Sequence, residues 1–373
     1  MFFFKLPIKI TLMVLAAIAA GILWQQDRLA VLALVHLDPV PETRSLVAEK
    51  RYAEAAAYLD FFMAYDYVSH DPPAQALQAE IEAIRNDMGY QAEKLYEGLV
   101  RGTSDEVIGQ TAGVITDFFV IGDIRDLVNQ GTKWAQGEEV DEVLIALASI
   151  GVVASAAQAI TATATVGTGG AAAPTVAATT AVKGGSVMLK IARKLGQWPS
   201  WLTKAILEGA DTVKKSKKLD AVADLFGDIY SLAKVKGGLN LLDKTSDAAS
   251  LKRLARVADT FGDQTLALHR IGGDLFLSTA QKAGELGADT IKVAATYGQN
   301  GLRVLDRIGA VKFVKYTARG GKMLYKGDII HLLARLLALI PNFVLYLMVV
   351  AGALVWLPWR TLADLRTRSG AAA

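Results

Sequence analysis

VLIALASIGVVASAAQAITATATVGTGGAAAPTVAATTAV, residues 143–182, carries no charged side chain at all. Its apolar positions do not alternate with polar ones, and its β-branched residues sit among Ala, Gly and Ser, so it reads as helix and not as strand. Gly167-Thr168-Gly169-Gly170 marks a turn between two apolar runs. The stretch therefore reads as a helical hairpin that enters or lines a bilayer, as a single crossing, or as an Ala-rich core hairpin of a soluble domain. No stretch elsewhere shows sustained period-two alternation, so the expected fold class is all-α.

Outward from this stretch the charge changes sign. From Asp27 to Glu142 there are 22 acidic residues and 9 basic ones; from Lys183 to Arg335 there are 26 basic and 14 acidic. The net charge of +3 over 373 residues conceals this asymmetry. Charge of this size bears on partners and membrane side more than on fold. Lys183, Lys190, Arg193 and Lys194 follow the uncharged stretch closely, whereas Lys133 is the one base in the fifteen residues before it. If the stretch crosses, the positive-inside rule places the acidic region in the periplasm and the basic region in the cytoplasm of a bacterial inner membrane. The competing arrangement keeps residues 27–335 together on the outer face.

Both ends of the chain look membrane-bound. Lys5 and Lys9 precede an apolar run from Ile10 to Trp24, the pattern of a signal anchor that is not cleaved. Leu336 to Trp359 is 24 residues without a charge, longer than the roughly 20 that a helix needs to cross the hydrocarbon core. Six segments follow: an anchor (1–26), an acidic helical domain (27–142), the uncharged hairpin or span (143–182), a basic helical repeat region (183–335), a transmembrane helix (336–359) and a short tail (360–373).

Within the acidic region, Pro41-Glu42-Thr43 opens a helix through Val47, Tyr52, Ala55, Ala56, Leu59 and Phe62. Ser69-His70-Asp71-Pro72-Pro73 stops it and starts a second one, running from Ala74 to about Leu99. Thr103-Ser104-Asp105-Glu106 has capping-box spacing. In the basic region an aromatic-Gly step recurs at Phe226-Gly227, Phe261-Gly262 and Tyr297-Gly298. Each is followed ten or eleven residues on by Gly237-Gly238, Gly272-Gly273 or Gly309. A period in the mid-thirties fits helical hairpins, stacked as a short solenoid or wrapped as amphipathic hairpins on a membrane.

Asp117-Phe-Phe-Val-Ile-Gly122-Asp123-Ile-Arg125-Asp126 is the most distinctive string in the chain. With the apolar segment after it, to about residue 170, it resembles the hydrophobic linker that precedes the toxin module in bacterial polymorphic toxins. That resemblance implies a part in toxin delivery; the uncharged 143–182 hairpin by itself also allows pore formation. Read from the residues alone, Asp123 caps a helix after Gly122, and Asp117, Arg125 and Asp126 stand at the edge of an interaction surface. A second candidate surface is Lys214, Lys215, Lys217 and Lys218, a basic cluster suited to anionic lipid headgroups. It lacks the interleaved aromatics of a nucleic-acid site.

No catalytic, cofactor or metal residue is expected. The chain has no Cys and only four widely spaced His, and it holds neither Gly-x-Ser-x-Gly nor a phosphate loop. The expected function is a non-catalytic membrane scaffold or interaction protein, with membrane-active pore formation as the alternative. Expected partners are membrane lipid, a protein meeting the acidic domain and a second copy of the chain through small-residue helices. Nucleic acid is not among them.

Overall fold

The computed structural model describes residues 5–88, 90, 141–168, 173–194, 196, 198–323, 334, 336–337 and 340–356. Among these residues every regular element is helical, as the sequence implies. The first helices are α1 (Lys5–Trp24), α2 (Gln26–Leu32), α3 (Val40–Ala48), α4 (Tyr52–Met63), α5 (Asp66–Ser69) and α6 (Pro72–Asn86). Next come α7 (Glu142–Thr168), α8 (Ala173–Lys194), α9 (Ser200–Ser216), α10 (Asp220–Ala233), α11 (Ala248–Phe261) and α12 (Thr265–Gly272). The last are α13 (Asp274–Ala280), α14 (Ala283–Leu286), α15 (Ala288–Ala295), α16 (Gly298–Ile308), α17 (Ala310–Met323) and α18 (Asn342–Trp356). The capping-box string at 103–106 lies outside the described residues.

The helix expected from Pro41 through Phe62 is in fact two. Lys50 takes a left-handed φ of +60°. The Arg51 N–H then donates to Leu46 O and the Lys50 N–H to Val47 O, both at 2.9 Å. This is a Schellman closure, built here on a lysine in place of the usual glycine. The stop at Ser69–Asp71 is where the sequence puts it: Asp71 is extended, and Pro72 and Pro73 occupy the first turn of α6. That helix ends at Asn86, short of the expected Leu99.

Farther on, Asp247 and Ser250 form a capping box before α11. The Ser250 N–H donates to Asp247 Oδ1 at 2.6 Å, and the Asp247 N–H donates to Ser250 Oγ at 3.1 Å. Gly262 and Gly273 bracket α12 at φ +56°, ψ −139° and φ +55°, ψ −136°, a conformation that side chains with a Cβ avoid. Gly227, expected at the equivalent place one period earlier, is instead an interior residue of α10.

The chain forms two units. One comprises Met1–His36 and Tyr297–Ala373, so it is made from both ends. Here α1 and α18 pack antiparallel: Gln26 Nε2 donates to Asn342 Oδ1 at 2.9 Å at one end, and farther along Gly352 lies against Ala16. A Cβ at Gly352 would collide with that of Ala16, so the two helices touch almost backbone to backbone. After Trp24 the chain bends by 70° into α2. Both α16 and α17 pack on α2, and Lys312 Nζ reaches Asp27 Oδ2 at 2.7 Å. His36 stacks on Tyr297 with 4.1 Å between centroids, and Phe313 meets that Tyr edge-on.

The other unit, Leu37–Thr296, contains the uncharged stretch and both of its charged flanks up to Thr296. The boundaries read at 142 and 183 fall inside it. Leu46, Leu59, Phe62, Leu77 and Ile81 close a small core between α3, α4 and α6. A second core joins Leu147 and Ile150 of α7, Val187 and Leu189 of α8, Ile206 of α9 and Phe226 of α10.

A crossing at 143–182 with opposite lobes on opposite faces does not fit this arrangement. Both ends of that stretch are core positions, and acidic Glu42 pairs directly with basic Arg270. The described acidic helices and the basic region as far as Thr296 therefore pack in one unit. Of the three readings left open for 143–182, the core hairpin agrees with this packing.

Candidate functional site

The apolar side chains left uncovered are concentrated on one helix pair. Ile10, Met13, Val14, Leu15, Ile18 and Trp24 are exposed on α1; Phe343, Tyr346, Leu347, Val350 and Leu354 are exposed on α18. Their inward faces are occupied by Ala19, Leu345 and Gly352. Eleven large apolar side chains facing outward on one helix pair make a candidate surface for contact with protein or lipid. Trp24, at the polar end of the pair, is 90% exposed. No single helix among the described residues is long and apolar enough to cross a bilayer; Lys9–Trp24 and Gln26–Leu32 satisfy that test only together, across their bend.

A charged clamp lies inside the Leu37–Thr296 unit. The Glu54 side chain, 11% exposed, accepts from Arg51 Nη2 at 2.6 Å, from Arg51 Nε at 3.1 Å and from Asn240 Nδ2 at 3.1 Å. Arg270 Nη1 approaches it at 3.5 Å, while Arg270 Nε and Nη2 both reach Glu42 Oε1 at 2.6 Å. Arg51 also holds Glu49 at 2.9 Å, and that contact draws the Glu49 carboxyl below its ordinary range. Tyr58, buried nearby, is pushed up to about 12 by its burial, the Glu42 charge adding to the effect, so its hydroxyl stays protonated. Every carboxylate here faces a guanidinium, which suits a clamp between α3–α4 and α12 more than acid–base chemistry.

The lysine cluster lies at the end of α9. Lys214 and Lys215 are in its last turn, and Lys217 ends it in a left-handed conformation at φ +56°. All four lysines are exposed. Lys215 contacts Asp211 at 3.6 Å. Lys214 borders an open groove of about 460 Å³ lined by Glu142, Ile145, Leu207, Glu208 and Asp211. The lysines also offset the carbonyl end of the helix dipole, an ordinary structural use. Asp117, Asp123, Arg125 and Asp126 lie outside the described residues. No cluster of His, Asp or Glu suited to a metal ion occurs among the described residues.

Nothing in the sequence marks Glu42, Arg51, Glu54, Asn240 and Arg270 as one cluster. Only Arg51–Glu54 has a local signature, the three-residue spacing of a helical ion pair. The other contacts span 186 to 228 residues of chain. No protein-family model, curated protein or solved structure matches this chain.

Proposed function

We propose that this is a non-catalytic scaffold protein of the bacterial inner membrane, held by the α1–α18 hairpin, with residues 37–296 displayed on one face. The observation that carries the reading is the row of large apolar side chains exposed on both helices. Lys9–Trp24 and Gln26–Leu32 together have the length and apolar character that a crossing needs, across their bend. Trp24 sits where an interfacial aromatic belongs. Lys5 and Lys9 at the start of α1 favour a cytoplasmic N-terminus, because the first apolar helix usually sets orientation. The antiparallel return through α18 then brings Trp356 back toward that same side, and puts the body on the outer face.

The scaffold role is supported by the body's helical build and its fixed charges. Within it, Gly262 and Gly273, both at positive φ, bound one short helix, α12, the form of a helical hairpin. The Glu54 clamp keeps α3–α4 seated on α12, so the acidic helices are presented to a protein partner in a fixed orientation. Pore formation by the 143–182 hairpin is the weaker reading, since Leu147, Ile150, Val187 and Leu189 would have to leave the core they share with Phe226.

Extraction of membranes with alkaline carbonate tests the anchor. Retention of the full chain in the pellet, with release after Ile18→Glu and Leu347→Glu together, is expected. Release of the unaltered chain would overturn the reading.

A further inference from the structure

At the foot of the apolar hairpin, α17 presents an exposed face that neither the scaffold nor the anchor accounts for. Val311 is 84% exposed and Val314 is 50% exposed, although Phe313 between them is fully buried. Lys315 and Ala318 are exposed too, and with Val311 they follow helical spacing along one side. The sequence continues this spacing with Arg319 and Lys322. From Arg307 to Lys326 the chain has six bases and no acid. Lys312, on the adjacent flank, is engaged with Asp27 of α2.

A charge run alone is ordinarily a solvated face. Here it flanks two outward valines, and an apolar side chain this exposed costs free energy unless something covers it. Position says what covers it. The helix packs on α2, which leaves α1 after Trp24 through the 70° bend, beside the end where Gln26 meets Asn342. The helix is thus tied, through α2, to the end of the hairpin that carries the exposed Trp.

We infer that α17 is an interfacial helix that lies on the anionic headgroups of the membrane, with Val311 and Val314 entering the acyl boundary and Lys315 binding lipid phosphate. This rests on the anchoring reading above. An amphipathic helix with bases beside a narrow apolar strip is the form that binds such an interface. Binding then depends on lipid charge and on salt.

The absence of native Cys allows a direct test. Full-length protein carrying Val311→Cys or Leu347→Cys is labelled with a fluorophore and placed in phosphatidylcholine vesicles with or without phosphatidylglycerol. Brominated acyl chains serve as the quencher. Quenching at 347 is expected in both vesicles. At 311 it is expected only with the anionic lipid, and it should be lost at high salt. Adding Lys315→Gln, Arg319→Gln and Lys322→Gln should cut the docked-to-free ratio on the order of a hundredfold, at roughly fivefold per base removed.

Quenching at 347 but at 311 in neither vesicle would overturn the inference and leave the anchor standing. No quenching at 347 would overturn the anchor and this inference with it. Shielding of 311 from aqueous iodide in detergent without lipid would mean that protein covers the face, and would also overturn it.

Discussion

Glu54 accepts from three side-chain donors within 3.1 Å and is almost fully enclosed, so its charge is held by geometry that water cannot replace. Glu54→Gln preserves the volume but turns one acceptor into a donor facing other donors. A loss of about 2 kcal/mol of unfolding free energy is expected in a urea titration, the range for leaving such groups unmatched. Glu49, the exposed outer partner of Arg51, should tolerate the same exchange with no measurable change. His269 adds a dependence on pH. Burial lowers its pKa below the usual 6.5, so the unfolded chain takes up a proton before the folded one does. The stability that this neutral imidazole permits is present above about pH 6.5 and lost as pH falls through the interval beneath it. The urea midpoint should therefore decline from pH 7.5 toward pH 5.5, and His269→Gln should flatten that decline. A slope unchanged by the substitution would move the effect to another group, such as His36, which burial shifts in the same direction.

At the scale of elements, two glycines in helices make opposite predictions. A Cβ on Gly185 of α8 would stand 2.4 Å from the main-chain oxygen of Phe226, and one on Gly184 would run into the Tyr230 ring. Backbone cannot yield as a flexible side chain can, so Gly185→Ala should cost about 1–3 kcal/mol. Gly227, interior to α10, has open space around it, and Gly227→Ala should gain about 0.5–1 kcal/mol from the reduced entropy of the unfolded chain. Thermal unfolding of the two variants should move in opposite directions. This contrast also marks what was legible in sequence. Apolar spacing and the Asp71-Pro72-Pro73 stop were enough to read helices and one boundary, because they are local. The break at Lys50 was hidden, since a lysine is not the residue that normally closes a helix in a left-handed turn. Phe226-Gly227 looked like the later aromatic-Gly steps, yet its glycine is plain helix. Dipeptide likeness does not report φ, which the neighbouring packing decides. The Gly185–Phe226 approach is tertiary, and nothing in either string declares it.

For the whole molecule, the deciding fact is that acidic Glu42 and basic Arg270 meet directly. The composition of 143–182 suggested a crossing because an Ala-rich helix that packs in a protein core and one that packs in lipid use the same small residues. The charge reversal across it suggested two compartments, when it also supplies the opposite charges for pairing within one body. Membrane sidedness separates these accounts sharply. Cysteine placed singly at Ala48, Lys218 and Ser369 gives three reporters on a background without native thiols. In intact spheroplasts, a membrane-impermeant maleimide should label Ala48→Cys and Lys218→Cys alike, since both belong to the one unit 37–296, which the proposed anchoring puts outside the inner membrane. Ser369→Cys should react only after permeabilisation if α1 and α18 both cross, as the proposed anchor requires. Labelling of Ala48→Cys without Lys218→Cys would mean that the chain passes through the bilayer between them, with Glu42 and Arg270 on opposite faces. The clamp cannot survive that arrangement, so a destabilising Glu54→Gln together with split labelling would be contradictory. Measured on one preparation, the two experiments therefore constrain each other.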